Sequence, residues 1–254
     1  MYVTDHPLLV FSLTFLALWL SELIGTSYRE RRRNLEERVR EDFGLILAAT
    51  LTLLGLIVGF SFAMAINRYD QRRSCEEAEA SSIATEYVRA DLLPVANAVR
   101  VRALLREYVD QRVLFFTAGT VEELERINPT IGQLQSELWA AVRDPALAQP
   151  TPVLALALSG MNDVLGAQDC TQAAWWNRIP LAAWGFMAAI AICCNLLVGY
   201  GGRQAGVRSI LLLVLPLVLS ISFFLIAEID SPRGGLIHVR PQNLVSLSRA
   251  LHAR

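Results

Sequence analysis

Three histidines, four cysteines and 24 carboxylates are the side chains of this sequence best suited to chemistry, and their spacing supports no familiar reaction. His6, His238 and His252 lie near the two ends, and none stands at metal-ligand spacing from a cysteine or a carboxylate. There is no Gly-x-Ser-x-Gly elbow, no phosphate-binding glycine loop and no dinucleotide fingerprint. The acidic cluster Glu76, Glu77 and Glu79 could attract cations, but a solvated helix face is the commoner meaning of such a run. No catalytic residue, metal ligand or cofactor is therefore expected, and an enzyme is not. Cys193 and Cys194 fall within an apolar run and suit helix or lipid packing. Cys75 and Cys170 lie at similar distances from the two ends of a polar stretch, so a disulfide is conceivable if their helices touch; two unpaired thiols are the commoner state, and a bridge would mark an oxidising compartment.

The elements that must position these residues follow from hydropathy. The chain is 54% hydrophobic, too apolar for an ordinary soluble domain and too charged to lie in a membrane throughout. Four apolar runs resolve this: about Leu8 to Gly25, Gly44 to Ile66, Pro180 to Tyr200 and Val207 to Ala227. The leader MYVTDHP lacks Arg and Lys, and no small-x-small pattern follows the first run, so that run is expected to stay as a span. Trp175, Trp176 and Trp184 at one end of the third span and Tyr200 at the other read as interfacial anchors. The expected fold is an all-α integral membrane protein: four transmembrane helices with a helical soluble insert between the second and third. Its parts are residues 1–66, a first hairpin; 67–179, the insert; 180–229, a second hairpin; and 230–254, a turn and a short helix.

Within the insert, residues 68 to 93 read as a charged helix interrupted at Pro94. A second helix, Val95 to Ala118, carries the stripe Val101, Leu104, Leu105 and Tyr108. Thr120 and Glu123 form a capping box that opens a short helix, and Ile131, Leu134, Leu138 and Ala141 resume helical spacing after Pro129. A turn-rich stretch from Asp144 to Pro152 precedes a helix with Leu154, Leu158, Met161 and Leu165. The tail helix has Leu244, Leu247 and Leu251. Gly201-Gly202 and Gly234-Gly235 read as turn glycines.

The second span is the most informative element. Residues 44 to 66 hold no ionisable side chain, and the sequence runs on through GFSFAMAINRYDQRR with no Gly or Pro after Gly59 to break the helix. A helix that leaves the bilayer unbroken and feeds a helical domain suits a conduit or a signal-transmitting stalk. Gly55, Gly59 and Ala63 form a small-residue row for close helix packing. Beside it runs a bulkier row of Thr52, Leu56, Phe60 and Met64, continued beyond the membrane by Asn67 and Gln71. Copies of this helix around an axis would stack Leu56 and Phe60 into an apolar neck; on periodicity alone, packing within one chain is the simpler meaning. Glu22 and Glu228 are placed at span ends, leaving no ionisable group at mid-membrane, which argues against a proton-coupled carrier. A passive pore stays open, because apolar constrictions gate ions by dewetting.

Gly59 and Phe60, followed at fixed distance by Arg68 and Tyr69, resemble the pore helix of bestrophins. The segments RVRALLREYVDQRVLFF, SGMNDVLGAQDCTQAAWWNRIP and AEIDSPRGGLI extend the similarity. The chain is closer still to the bacterial bestrophin-like family, through EEAEASSIATEYVRADLLP, NRIP and DSPRGGLIHV, over residues 40 to 251. The resemblance implies a homopentamer in a bacterial inner membrane, passing inorganic ions. Thr52, Leu56 and Phe60 would form its neck, Asn67, Arg68 and Gln71 its pore exit, and insert plus tail a cytoplasmic vestibule. Thr52 replaces an apolar neck residue, and no acidic cluster follows Arg233-Gly234-Gly235, so the calcium clasp of animal bestrophins is not expected. Ion selectivity is left open between the monovalent cations of bacterial bestrophins and the anions of animal ones.

Charge leaves a second reading. All 23 basic residues are arginine, interspersed with acids, so nucleic acid is not an expected partner. Arg29, Arg31, Arg32, Arg33, Arg38, Arg40, Arg203 and Arg208 make eight on one side of the membrane. Arg68, Arg72, Arg73, Arg178, Arg233 and Arg240 make six on the other, a slight lean towards an extracytoplasmic insert. The resemblance, which places the insert in the cytoplasm, outweighs a difference of two. The alternative is a membrane sensor or scaffold whose insert binds a ligand or partner protein.

Overall fold

The computed structural model describes residues 5–31, 37–201 and 208–253, with side chains for all but 29–31, 37–42 and 208–212. Its regular structure is helical: α1 (Pro7–Arg31), α2 (Glu37–Arg89), α3 (Val95–Thr117), α4 (Val121–Ala148), α5 (Pro152–Trp176), α6 (Leu181–Gly201), α7 (Arg208–Asp230) and α8 (Gln242–His252). Four of these helices are long and apolar enough to cross a membrane. Val207 and Gly202, assigned above to a span start and a turn, lie outside the described residues, and Gly201 ends α6 rather than forming a turn.

The chain divides into two compact units. The first comprises Met1–Tyr69 and Arg178–His238, the second Asp70–Asn177 and Val239–Arg254. The boundary falls inside α2, one helix of 53 residues. As expected from the lack of breakers, α2 ends only where a single tight turn, Ala90–Leu92, meets Pro94.

The first unit packs α1, α6, α7 and one face of α2 around Leu18, Leu54, Ala65, Met187, Ala191, Phe223 and Ile226. Where α1 meets α6, the backbones nearly touch. A Cβ at Gly25 would stand 2.2 Å from the Leu196 carbonyl oxygen, and one at Gly199 would stand 2.1 Å from that of Glu22. Ser21 adds a hydroxyl hydrogen bond to the Ile192 carbonyl, 2.7 Å. This is the small-residue contact that membrane helices use in place of hydrophobic driving force. Glu22, read above as a span-end acid, sits in that contact and is buried. Neither of its carboxylate oxygens has a hydrogen-bond partner among the described residues, nor has the Asn195 Oδ1 of α6.

In the second unit the capping box forms as read: Glu123 N–H donates to Thr120 Oγ1 (3.2 Å) and the Glu123 carboxylate accepts from Thr120 N–H (3.3 Å). The helix it opens is not short. α4 runs 28 residues through Pro129 and Pro145, and only residues 149–151 separate it from α5, in place of the expected turn-rich stretch. An interior proline costs about 3 kcal/mol. Burial of Ile131, Leu134, Leu138, Ala141 and Val142 offsets that cost. Trp175 is not an interfacial anchor either. Its ring packs 5.3 Å and 5.5 Å from those of Phe115 and Phe116, inside the unit. Trp176 is exposed, and Trp184 meets Phe223 in the first unit with the rings tilted, centroids 6.3 Å apart.

Candidate functional site

α2 buries one stripe and leaves the rest open. Leu54, Ser61 and Ala65 face the first unit's core, with Leu51, Ile57 and Val58 partly covered beside them. Thr52, Leu56, Phe60 and Met64 lie outside that stripe; Leu56 is 53% exposed and Phe60 63%. Thr52 satisfies its hydroxyl on its own helix, donating to the Ala48 carbonyl at 2.8 Å. Gly55, Gly59 and Ala63 are exposed as well, and a Cβ at either glycine would meet nothing within 4 Å. Packing within the chain therefore uses neither expected row. It uses a third row, and the close glycine contact belongs to α1 and α6.

Among the residues expected at the exit, Asn67 and Gln71 are exposed, whereas Arg68 is turned to Asp230. The Arg68 guanidinium lies 3.3 Å from Asp230 Oδ1, with both side chains largely buried. The same carboxylate accepts the Ile179 N–H at 3.1 and 3.2 Å. Asp230 thus fastens α2, the entry to α6 and the end of α7 with one side chain. A charge-assisted network of this kind, drawn from three elements, fixes the end of the bundle.

The turn after α7 is built around Glu228. Its carboxylate accepts the N–H groups of Leu236 (2.7 Å) and Ile237 (3.4 Å). Gly235 adopts φ 121°, and a Cβ there would stand 2.2 Å from the Glu228 carboxylate, so only glycine fits. Gly234 N–H bonds Ser231 Oγ at 2.9 Å, and its missing side chain makes room for the Asp5 carbonyl. Asp5 is ion-paired with Arg178. In the sequence Glu228 reads as a span-end acid; the Gly-Gly that follows a few residues later is the signal that a carboxylate could fold back on it.

In the second unit, the acidic cluster is not a solvated face. Only Glu77 is exposed, paired with Arg73. Glu79 is fully buried and chelates Arg112 through Nε and, at 3.1 Å, Nη2, while Thr171 donates to Glu79 Oε2 at 2.7 Å. The Arg112 guanidinium also stacks 4.5 Å from the Phe115 ring centroid. Glu76 caps α8, accepting Asn243 N–H and Leu244 N–H, each at 3.0 Å. At the other end of α8, Arg106 donates to the Leu251 carbonyl, and Asp110 binds Ser248 and His252. Cys75 and Cys170 are joined in a disulfide with Cα atoms 5.9 Å apart, against the expectation of two free thiols. Their similar distances from the two membrane ends of the insert were the legible clue.

Glu86 completes the buried acids. Both its oxygens lack partners among the described residues, and Gly160 of α5 leaves the room it occupies: a Cβ there would stand 2.0 Å from Oε2. Burial pushes its carboxyl up to about 8, with Arg89 opposing that rise and Asp163 adding to it. Among the described residues, no group of three or more His, Cys, Asp or Glu side chains could hold a metal ion.

Four long apolar helices, an all-helical second unit and an acid-anchored turn after the last span define a class: helical membrane proteins with a folded insertion between two span pairs. Within that class, a family profile described as Bestrophin-like domain matches residues 9–244, and the chain belongs to the bestrophin-like family. Among solved structures, a bacterial bestrophin homolog from Klebsiella pneumoniae is similar at 13% identity, covering 95% of this chain and 97% of the other, with TM-score 0.64. A point mutant of that homolog gives 14% identity, the same coverage and TM-score 0.63. At such identities the likeness shows the fold. No curated protein matches the chain.

Proposed function

We propose that this protein is a passive ion channel: a homopentamer in a bacterial inner membrane whose α2 helices line a central pore. The observation that carries this reading is the open face of α2. Thr52, Leu56 and Phe60 stay uncovered by the chain's own membrane unit, in a chain of the bestrophin-like family. Bestrophins are ion channels, and apolar rings at a constriction gate ions by dewetting. In the pentamer, Leu56 and Phe60 form the neck, with Thr52 presenting a hydroxyl already engaged by its own helix. Gly55, Gly59 and Ala63 supply the close approach between neighbouring α2 helices. Asn67 and Gln71 line the exit, while Arg68 holds the helix end through Asp230. The insert and both termini face the cytoplasm. Inorganic ions and the lipid bilayer are the partners, and no nucleic acid.

The test is ion flux in liposomes containing purified protein, with stoichiometry measured on the same sample. Leu56→Ala and Phe60→Ala are expected to change flux several-fold. A pentamer in which neither substitution moves any measurable flux rejects the neck.

A second reading is favoured by the Cys75–Cys170 bridge: stable disulfides belong to oxidising compartments, which suits an extracytoplasmic insert acting as a sensor or scaffold. A C-terminal reporter separates the two. Cytoplasmic fluorescence supports the channel orientation, and periplasmic reporter activity supports the sensor.

A further inference from the structure

We propose that Cys75–Cys170 is a reversible redox site, opened by a dithiol reductant, and that its opening changes conduction through α2. The conduction half of this proposal rests on the channel reading above; the thiol half rests only on that reading's cytoplasmic placement of the insert.

The geometry points to a switch rather than a staple. Cys75, on α2, is buried, whereas Cys170, on α5, is exposed. A nucleophile can therefore reach one sulfur of the pair, and the leaving sulfur is the buried one. Beside the bridge lies a second, non-covalent tie between the same helices: Glu79, one turn beyond Cys75, accepts from Thr171, which follows Cys170, and from Arg112 of α3. That buried cluster persists when the disulfide opens, so α2 and α5 stay in register while their covalent lock is released. The bridge is the covalent tie between α5 and α2, the helix that also carries Leu56 and Phe60, and its opening leaves only the Glu79 cluster to hold that helix there. In a segment facing the cytoplasm, a disulfide is expected to be transient and redox-sensing.

One thiolate of the dithiol attacks Cys170 Sγ; the Sγ–Sγ bond breaks and Cys75 leaves as a thiolate that takes up a proton. The second thiolate of the reductant attacks the mixed disulfide and releases Cys170, which is protonated in turn. Two electrons and two protons reach the protein, and the reductant departs as its own disulfide.

The experiment uses full-length protein carrying Cys193→Ala and Cys194→Ala, so that only the pair reports. Cells are lysed into an alkylating agent, and thiols are counted by mass-tagged maleimide before and after treatment of native, undenatured protein with dithiothreitol or with thioredoxin and its reductase. The expected result is a bridged fraction that gains two tags without denaturant, and a flux in liposomes that changes at least threefold on reduction. A Cys75→Ala, Cys170→Ala variant is expected to keep its assembly state and show the reduced flux with or without dithiothreitol. The proposal is overturned if no bridged fraction is trapped, or if the bridge opens only in denaturant, as a permanent extracytoplasmic disulfide would. Conducting protein whose flux ignores reduction also overturns it. Protein that conducts in neither state rejects the channel reading and with it the conduction half, while the tag count still decides the thiol half.

Discussion

Glu86 shows what a single buried group does to the whole unit. Its folded carboxyl titrates at about 8 against an ordinary 4.5, and desolvation is the main cause. The folded state therefore binds this proton more tightly than the unfolded chain does. The stability it contributes is complete below about pH 4.5 and is lost as pH rises through about 8. A tenfold difference in proton affinity is worth about 1.4 kcal/mol, so the effect amounts to a few kcal/mol at most. Thermal melts of wild type are expected to fall between pH 5 and pH 8.5, and Glu86→Gln to flatten that fall; an unchanged slope in the variant would sink the assignment. The buried acids were the least legible residues in the sequence. Glu76, Glu77 and Glu79 read as one solvated run because charge clusters usually are, yet Glu76 and Glu79 face inward and Glu77 outward. Their partners, Asn243, Arg112 and Thr171, lie 33 to 167 residues away, which no local pattern reveals.

At the scale of elements, the hydropathy runs carried most of the reading. The four spans, the unbroken exit of α2 and the capping box at Thr120 all rest on local physics that tertiary contacts did not override. Pro129 and Pro145 misled for the opposite reason: buried apolar contacts on the same face hold α4 together across them. The rows of α2 carry the next prediction. A side chain at residue 59 has open space within the chain, and glycine is a poorer helix former than leucine by nearly 1 kcal/mol. Gly59→Leu should therefore leave helix content unchanged or slightly raised. In the proposed pentamer it should nevertheless break the close approach of neighbouring α2 helices, yielding smaller particles by mass measurement in detergent. A variant that keeps the wild-type stoichiometry rules out the small row as a subunit contact.

For the whole molecule, the decisive feature is that residues far apart in sequence share a unit. The tail, Val239–Arg254, belongs with Asp70–Asn177, and Glu76 is the group that receives the start of α8. Glu76→Ala removes that cap and leaves two N–H groups without it, at a cost of about 1–2 kcal/mol. The expected outcome is faster proteolysis confined to the last 16 residues, with the rest of the second unit resistant. Uniform sensitivity across that unit would instead make Glu76 part of its general stability.

The pairing of α1 with α6 has a consequence for biosynthesis. Ser21 finds its partner carbonyl on Ile192, 171 residues downstream. At synthesis speeds of roughly 5–20 residues per second, the ribosome needs about 9 to 34 s to deliver that partner. Throughout that delay Ser21 and Glu22 of the nascent first helix have nothing from α6 to cover them. Slowing elongation downstream of α2 should lengthen the exposure and lower the yield of inserted protein.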